Sequence, residues 1–233
     1  MQQPFLKPSI SDELRHILDS ADRTKPIKKD TYLFSEGENA KELYIIQSGR
    51  VQIGKLSPDG RELTLRICNK GDIVGELSLY DEVKYILNAK VLEDGKVAVI
   101  NKARLEEELI NNGSLAIEFM KMMSESYRRD QTRFRDLVMH GKKGALYSTL
   151  IRLSNSYGRK QDNGNIYIDI VLNNQELANF CGTSRESVNR SLNELKRKQI
   201  ISMKKGHIII HDLTYLKAEI NCEECPIELC SIH

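Results

Sequence analysis

Apolar and polar positions change rhythm several times along the chain. Residues 5–22 read as a short amphipathic helix. From about Thr31 to Ile100, short apolar runs are each closed by turn residues. Leu43-Tyr44-Ile45-Ile46 runs to Ser48-Gly49, and Val51-Gln52-Ile53 to Ser57-Pro58-Asp59-Gly60. Leu63–Ile67 then precedes Asn69-Lys70-Gly71-Asp72, and Val97–Ile100 follows later. Turn signals at intervals of roughly 8 to 12 residues predict a small antiparallel barrel or sandwich. Gly37, Gly49, Gly60, Gly71, Gly75 and Gly95 suit corners that need positive φ.

After Asn112-Gly113 the rhythm becomes helical, with Ser114 as N-cap and the helix running to about His140 before Gly141 and Gly144. Ile117, Met120, Ser124, Tyr127, Gln131, Phe134 and Val138 fall alternately three and four apart, the spacing of a coiled-coil seam. A helix this long with no helical neighbour in its own domain needs a partner. A dimer seam is favoured over packing on the barrel.

A helix (Ala145–Tyr157), a short strand (Ile166–Val171), two helices and two strands (Ile200–Lys204, His207–His211) follow, the order of a winged helix-turn-helix. Asn173 can cap Asn174–Cys181, with Glu176 placed for a capping box. Gly182 permits the turn, and Thr183 to Glu186 again has capping-box spacing before the helix Ser184–Lys198. The chain divides into residues 1–112 (β domain), 113–141 (dimerisation helix), 142–213 (winged helix-turn-helix) and 214–233 (cysteine-rich tail).

Composition refines this plan. The chain has 233 residues and a formal charge of +2, too little to argue nucleic-acid binding by itself. Lys and Arg nevertheless crowd Arg128–Lys143 and Arg185–Lys205, while acidic pairs such as Asp81-Glu82 lie earlier. No apolar run approaches the roughly 18 residues of a membrane span, and the N-terminus lacks a secretion pattern. A cytoplasmic protein with reduced cysteines is expected. Cys68 and Cys181 sit in apolar surroundings as small core residues. The other three crowd the last twelve positions.

Two sites carry chemistry. On the second helix of the helix-turn-helix, Val188, Leu192 and Leu195 share one face, while Glu186, Arg190, Asn193 and Arg197 project roughly opposite, with Arg185 near one edge. Arginine offers a bidentate donor pair to guanine, and glutamate accepts from cytosine N4. A plainer use is open too: Glu186 completing the capping box, the arginines touching phosphates. In the tail, Cys222, Cys225 and Cys230 give a C-x2-C-x4-C spacing, with Pro226 kinking the chain between the second and third. Thiolates favour iron–sulfur clusters or zinc, and three are one ligand short for either. A structural zinc site and an incidental tail stay open. No phosphate loop, Gly-x-Ser-x-Gly turn or His-Glu-x-x-His helix is present, so an enzyme is not expected.

Gly182-Thr183-Ser184-Arg185-Glu186-Ser187-Val188-Asn189-Arg190 resembles the recognition segment of the CRP/FNR superfamily. Gly71-Asp72-Ile73-Val74-Gly75-Glu76-Leu77-Ser78-Leu79 is similar to the family's effector-domain β-roll. The likeness runs from about residue 25 to 211. It implies an α+β fold: an N-terminal β-roll of the cyclic-nucleotide-binding jelly-roll kind, a long dimerisation helix and a C-terminal winged helix-turn-helix. It implies a homodimer on double-stranded DNA, with Arg185, Glu186 and Arg190, beside Ser184 and Asn189, reading an inverted pair of TGTGA-like half-sites. RNA polymerase is a further implied partner. CRP-like members meet the cyclic nucleotide phosphate with an Arg-Ser pair after Gly-Glu-Leu. Here Lys84-Tyr85-Ile86-Leu87-Asn88-Ala89 holds no arginine, so cyclic nucleotide control is not expected.

The tail resembles the Bacillus-type FNR subgroup, whose [4Fe–4S] cysteines lie at the C-terminus. Consistent with this, residues 1–30 contain no cysteine. The resemblance implies an oxygen-responsive regulator of anaerobic gene expression, with the cluster tying tail to dimer helix and oxygen breaking the tie. It implies Asp136 as fourth ligand, ahead of His140-Gly141-Lys142-Lys143-Gly144. From the residues alone Asp136 can equally pair with Arg133, and His140 and His233 stay candidate ligands.

Overall fold

The computed structural model describes residues 21–76 and 84–232. The amphipathic segment 5–22, except its last two residues, and Leu77-Ser78-Leu79, Asp81-Glu82 and His233 lie outside the described residues. The described residues up to Leu56 and from Leu65 to Ser126 form one compact unit; Ser57–Thr64 and Tyr127–Ile232 form the other.

The first unit is an antiparallel six-stranded sheet. Its strands are β1 (Arg23–Ile27), β2 (Tyr32–Phe34), β3 (Glu42–Leu56), β4 (Glu62–Cys68), β5 (Ile73–Val74) and β6 (Asn88–Asn101). Order β1-β6-β3-β4 makes the long pair β3 and β6 the spine, with β2 on β6 and β5 on β3. Inside, Phe34 stacks on Tyr85 at 3.9 Å between ring centroids, amid buried Ile46, Val51, Val91 and Val97. Cys68 is buried here.

One expectation changes. Ser48-Gly49 was read as a turn between two strands, yet β3 runs straight through it with its register on β6 shifting between Ile46 and Val51. Gly49 (φ +84°) is needed because a Cβ there would stand 2.7 Å from the Glu93 carbonyl oxygen. Gly95 does not have positive φ; it is required by close approach, since a Cβ would meet the Ser48 carbonyl oxygen at 2.0 Å.

Helix α1 (Lys102–Asn111) and the start of α2 (Gly113–Met139) complete this unit. Leu105, Leu109, Leu115 and Phe119 cluster with Leu43, Ile73 and Ile100. Ser114 is not the cap of α2. Asn112 takes that role, its Oδ1 accepting from the Leu115 amide and the Ser114 hydroxyl.

The second unit contains the latter half of α2, then α3 (Gly141–Tyr157), β7 (Gly158–Lys160), β8 (Ile166–Ile168), α4 (Asn174–Phe180), α5 (Arg185–Arg197), β9 (Ile201–Lys204), β10 (His207–Ile210) and α6 (Leu213–Glu219). The sheet order is β7-β8-β10-β9. Gly144 lies inside α3 rather than ahead of it, and a Cβ there would come within 2.1 Å of the His140 Cβ. α3 is the core helix: Tyr147, Leu150, Leu153 and even Arg152 are buried.

Candidate functional site

The helix-turn-helix is built as its capping residues dictate. Asn173 and Glu176 form a reciprocal capping box on α4. Gly182 takes φ +55° at the turn, where the Thr183 amide bonds back to the Ala178 carbonyl. The cap of α5 then shifts one residue from expectation. Ser184, not Thr183, accepts from the Ser187 amide, so Glu186 does not close a capping box. Its own backbone amide and the Ser184 hydroxyl hold its carboxyl below the ordinary carboxylate range, leaving an ionised acceptor at the surface.

Val188, Leu192 and Leu195 bury one face of α5. Arg185, Glu186, Asn189, Arg190, Asn193 and Arg197 are exposed along the other. Ser184 is occupied by its capping role and a contact to Ser187, while Asn189 accepts from Asn174 Nδ2 at 3.1 Å. Arg190 has no ion pair or side-chain hydrogen bond among the described residues, and Arg185 contributes to holding the Glu186 carboxyl low. Behind the helix, β9 and β10 make the wing. Lys205 (φ +51°) and Gly206 (φ +83°) form its two-residue turn, which presents exposed Lys204 and Lys205.

The seam residues share one open face of α2. Ile117, Met120, Tyr127, Phe134 and Val138 are 51–69% exposed, and Ser124 and Gln131 are exposed with them. Leu115, Phe119, Arg133 and Asp136 turn inward. An apolar row of this length left to water on a helix is the pattern of an interface.

The tail leaves α6 through a Schellman end: Asn221 adopts φ +45° and the Cys222 amide bonds to the Lys217 carbonyl. A second turn is closed on the Pro226 carbonyl by the amides of Leu229 and Cys230, each at 2.9 Å. Cys222, Cys225 and Cys230 are half-buried and not in disulfides, unlike the buried Cys68 and Cys181. Burial pushes the Cys230 thiol up, Arg152 opposes this, and Cys222, Cys225 and Asp136 add to it. The three thiols and the carboxylate therefore share one electrostatic neighbourhood.

Asp136 is buried and does not pair with Arg133. Its Oδ2 accepts from Arg152 Nη2 at 2.7 Å and Ser148 Oγ at 2.6 Å, and its Oδ1 from Arg135 Nη2 at 2.8 Å. Burial raises its pKa, but these donors outweigh burial and leave it below the ordinary value. Arg133 is turned elsewhere: it donates to the Thr64 carbonyl at 2.8 Å and lies over the Phe180 ring. Arg135 also pairs with Glu223 and is held strongly protonated, first by Asp136, with Cys225 also contributing. His140 sits between α2 and α3 without a cap bond.

Three soft sulfur ligands and a hard carboxylate suit an iron–sulfur cluster or zinc in chemistry. Among the described residues no three His, Cys, Asp or Glu side chains already stand as a metal cage.

A β-roll, an open apolar helix face and a winged helix-turn-helix together are the layout of a DNA-binding transcription regulator, and sequence comparison agrees. The cyclic nucleotide-binding domain signature matches residues 24–112, and the Crp-like helix-turn-helix domain signature matches 144–219. The chain belongs to the CRP/FNR superfamily of transcription regulators, which are not enzymes. It is 58% identical over 225 residues to the anaerobic regulatory protein of Bacillus subtilis, covering 96% of this chain and 94% of that one. It is 33% identical over 205 residues to the lactate racemization regulatory protein of Lactiplantibacillus plantarum, covering 83% and 89%. A CRP-family transcriptional regulator from Thermus thermophilus matches with TM-score 0.66 and 25% identity, over 84% of this chain and 96% of that one. A CooA variant from Carboxydothermus hydrogenoformans shares the fold at TM-score 0.75 and 21% identity, over 94% and 97%. No helix of the described residues is long and apolar enough to cross a membrane.

Proposed function

We propose that this chain is an oxygen-responsive regulator of anaerobic gene expression, controlled by a [4Fe–4S] cluster held by Cys222, Cys225, Cys230 and Asp136. What supports this reading is the C-x2-C-x4-C tail, whose last turn is hydrogen-bonded to the same Arg152 that holds the buried Asp136. When bound, a cluster supplies an oxygen-labile crosslink between the tail and α2. Likeness to the Bacillus subtilis anaerobic regulatory protein supports the reading.

As a homodimer joined along α2, the protein places two α5 helices in successive major grooves, about 34 Å apart. Arg185 and Arg190 donate to guanines and Glu186 accepts from cytosine in TGTGA-like half-sites, while Lys204 and Lys205 of the wing meet phosphate. RNA polymerase is the partner at the promoter, and the cytoplasm is the compartment. Cyclic nucleotide is not the effector, because the stretch after Glu76 offers no guanidinium to a phosphate and Glu76 is already paired with Arg66 at 2.5 Å.

A second reading keeps the β-roll as a pocket for a different small molecule, with zinc in the tail. It is favoured by one atom: Glu76 Oε2 is buried with no hydrogen-bond partner among the described residues. DNA binding by anaerobically prepared protein, repeated after exposure to air and with added cyclic AMP, separates the two. Loss of affinity in air and indifference to cyclic AMP supports oxygen control. Unchanged affinity in air overturns it.

A further inference from the structure

We propose that Arg152 is a positioning residue that docks the end of the tail and holds Asp136 at the same time, and that it does so without any metal. Arginine in the middle of a helix normally reaches solvent, yet the Arg152 side chain is 2% exposed. Nothing apolar explains a guanidinium there, so its hydrogen bonds must. Its Nη2 donates to Asp136 Oδ2 at 2.7 Å and to Thr132 Oγ1 at 3.3 Å. Its Nε donates to Ser148 Oγ at 3.3 Å. Its Nη1 reaches the tail, donating to the Leu229 carbonyl at 3.0 Å. One planar fork thus spans α2, α3 and the tail.

Neighbours on the same two helices complete the dock. Thr132 Oγ1 lies 3.4 Å from the Leu229 carbonyl oxygen, and Asn155 Nδ2 donates to the Cys230 carbonyl at 2.7 Å. Ser156 Oγ accepts from the Ile232 amide at 2.9 Å. Leu229 and Ile232 are buried, Ile232 to 1% exposure. The other end of the cysteine segment is fixed by the Schellman bond at Cys222. Cys222–Cys230 is therefore a loop strapped at both ends, not a loose tail. If a cluster were lost, residues 229–232 would stay docked and keep the third cysteine of the set against α3. That last step rests on the cluster reading above; the docking does not.

The test uses the full-length, metal-free, reduced protein and follows amide hydrogen exchange. In the parent chain the amides of Leu229, Cys230 and Ile232 are expected to exchange at least about tenfold more slowly than those of Glu223 and Glu224, which donate no backbone bond among the described residues. Arg152→Met is expected to erase that difference while the amides of α5 keep their protection. Arg152→Lys, a point charge without the fork, is expected to recover part of it. If Arg152→Met does not fold, Asn155→Ala with Ser156→Ala tests the same dock and is expected to speed exchange only at 229–232. Fast exchange of 229–232 in the parent, or no change in the variants, overturns the proposal. A docked tail in protein that never takes up iron would leave the proposal standing and remove the cluster reading instead.

Discussion

Replacing Asp136 by alanine tests the buried network before any metal is considered. The substitution takes from Arg152 the one carboxylate partner it has among the described residues, at 2.7 Å, and from Ser148 the acceptor of its hydroxyl. Arg152 is then a guanidinium buried to 2% exposure with no compensating charge. Breaking such a pair from one side destabilises by about 3–5 kcal/mol. The Arg135 pair adds little, since that side chain is 32% exposed and exposed pairs contribute about 0–1 kcal/mol. Asp136→Asn keeps an acceptor and loses the charge, so a smaller loss is expected. Adding Arg152→Met to Asp136→Ala removes the stranded charge and should recover much of the deficit, because an apolar replacement of a buried pair is often near neutral. Urea unfolding of the metal-free variants, followed by circular dichroism since the chain has no tryptophan, gives the differences. An Asp136→Ala chain within about 0.5 kcal/mol of the parent, the range of ordinary surface substitutions, would refute the network. The same experiment shows how a ligand-deletion result at Asp136 divides into lost ligation and lost stability.

Three further outcomes are expected. Arg190→Ala should weaken binding to an inverted-repeat site by about 1–3 kcal/mol per half-site while scarcely changing binding to scrambled DNA; equal loss on both would make Arg190 a phosphate contact. Phe134→Asp, on the open face of α2, should shift the protein toward monomer in sedimentation, whereas an unchanged dimer would place the seam elsewhere. Burial pushes the Cys181 thiol up to about 11, so at pH 8 only about a thousandth is thiolate and this buried thiol should resist alkylation while the more accessible Cys222 and Cys225 react. An unfolded cysteine ionises from about 9, so between those values the unfolded state releases its proton first and stability falls as pH rises. Cys181→Ala should flatten that slope in alkaline unfolding measurements.

What the residue pattern revealed follows from which interactions are local. The helix-turn-helix was readable because capping, turn and amphipathic face all lie within Asn173–Lys198, and even there the cap moved by one residue to Ser184. The exposed row on α2 was readable because a seam declares itself by spacing alone. The spine of the β-roll was not: β3 and β6 pass through Ser48-Gly49 and Gly95, and only the partner strand shows that Gly49 keeps its positive φ inside a strand and that Gly95 serves close approach alone. β7 and α6 were missed, being three and seven residues long, although Asp212 capping the Tyr215 amide was a findable signal for α6. Within the tail, the short spacing of three cysteines is the signal on which the proposed ligand set rests. The partner of Asp136 did not announce itself. Arg152 lies sixteen positions on, in a helix that would ordinarily turn an arginine outward, and the adjacent candidate Arg133 is diverted to Thr64 and Phe180.

The most direct test of the central claim is the iron and acid-labile sulfide content of protein purified without oxygen, with its visible absorption recorded before and after air. A brown protein with about four irons and four sulfides per chain, bleaching in air and colourless in the Cys225→Ala variant, is the predicted result. A colourless parent protein that carries stoichiometric zinc, or that takes up no iron on reconstitution, would contradict oxygen control and leave a CRP/FNR-type DNA-binding regulator whose effector lies elsewhere.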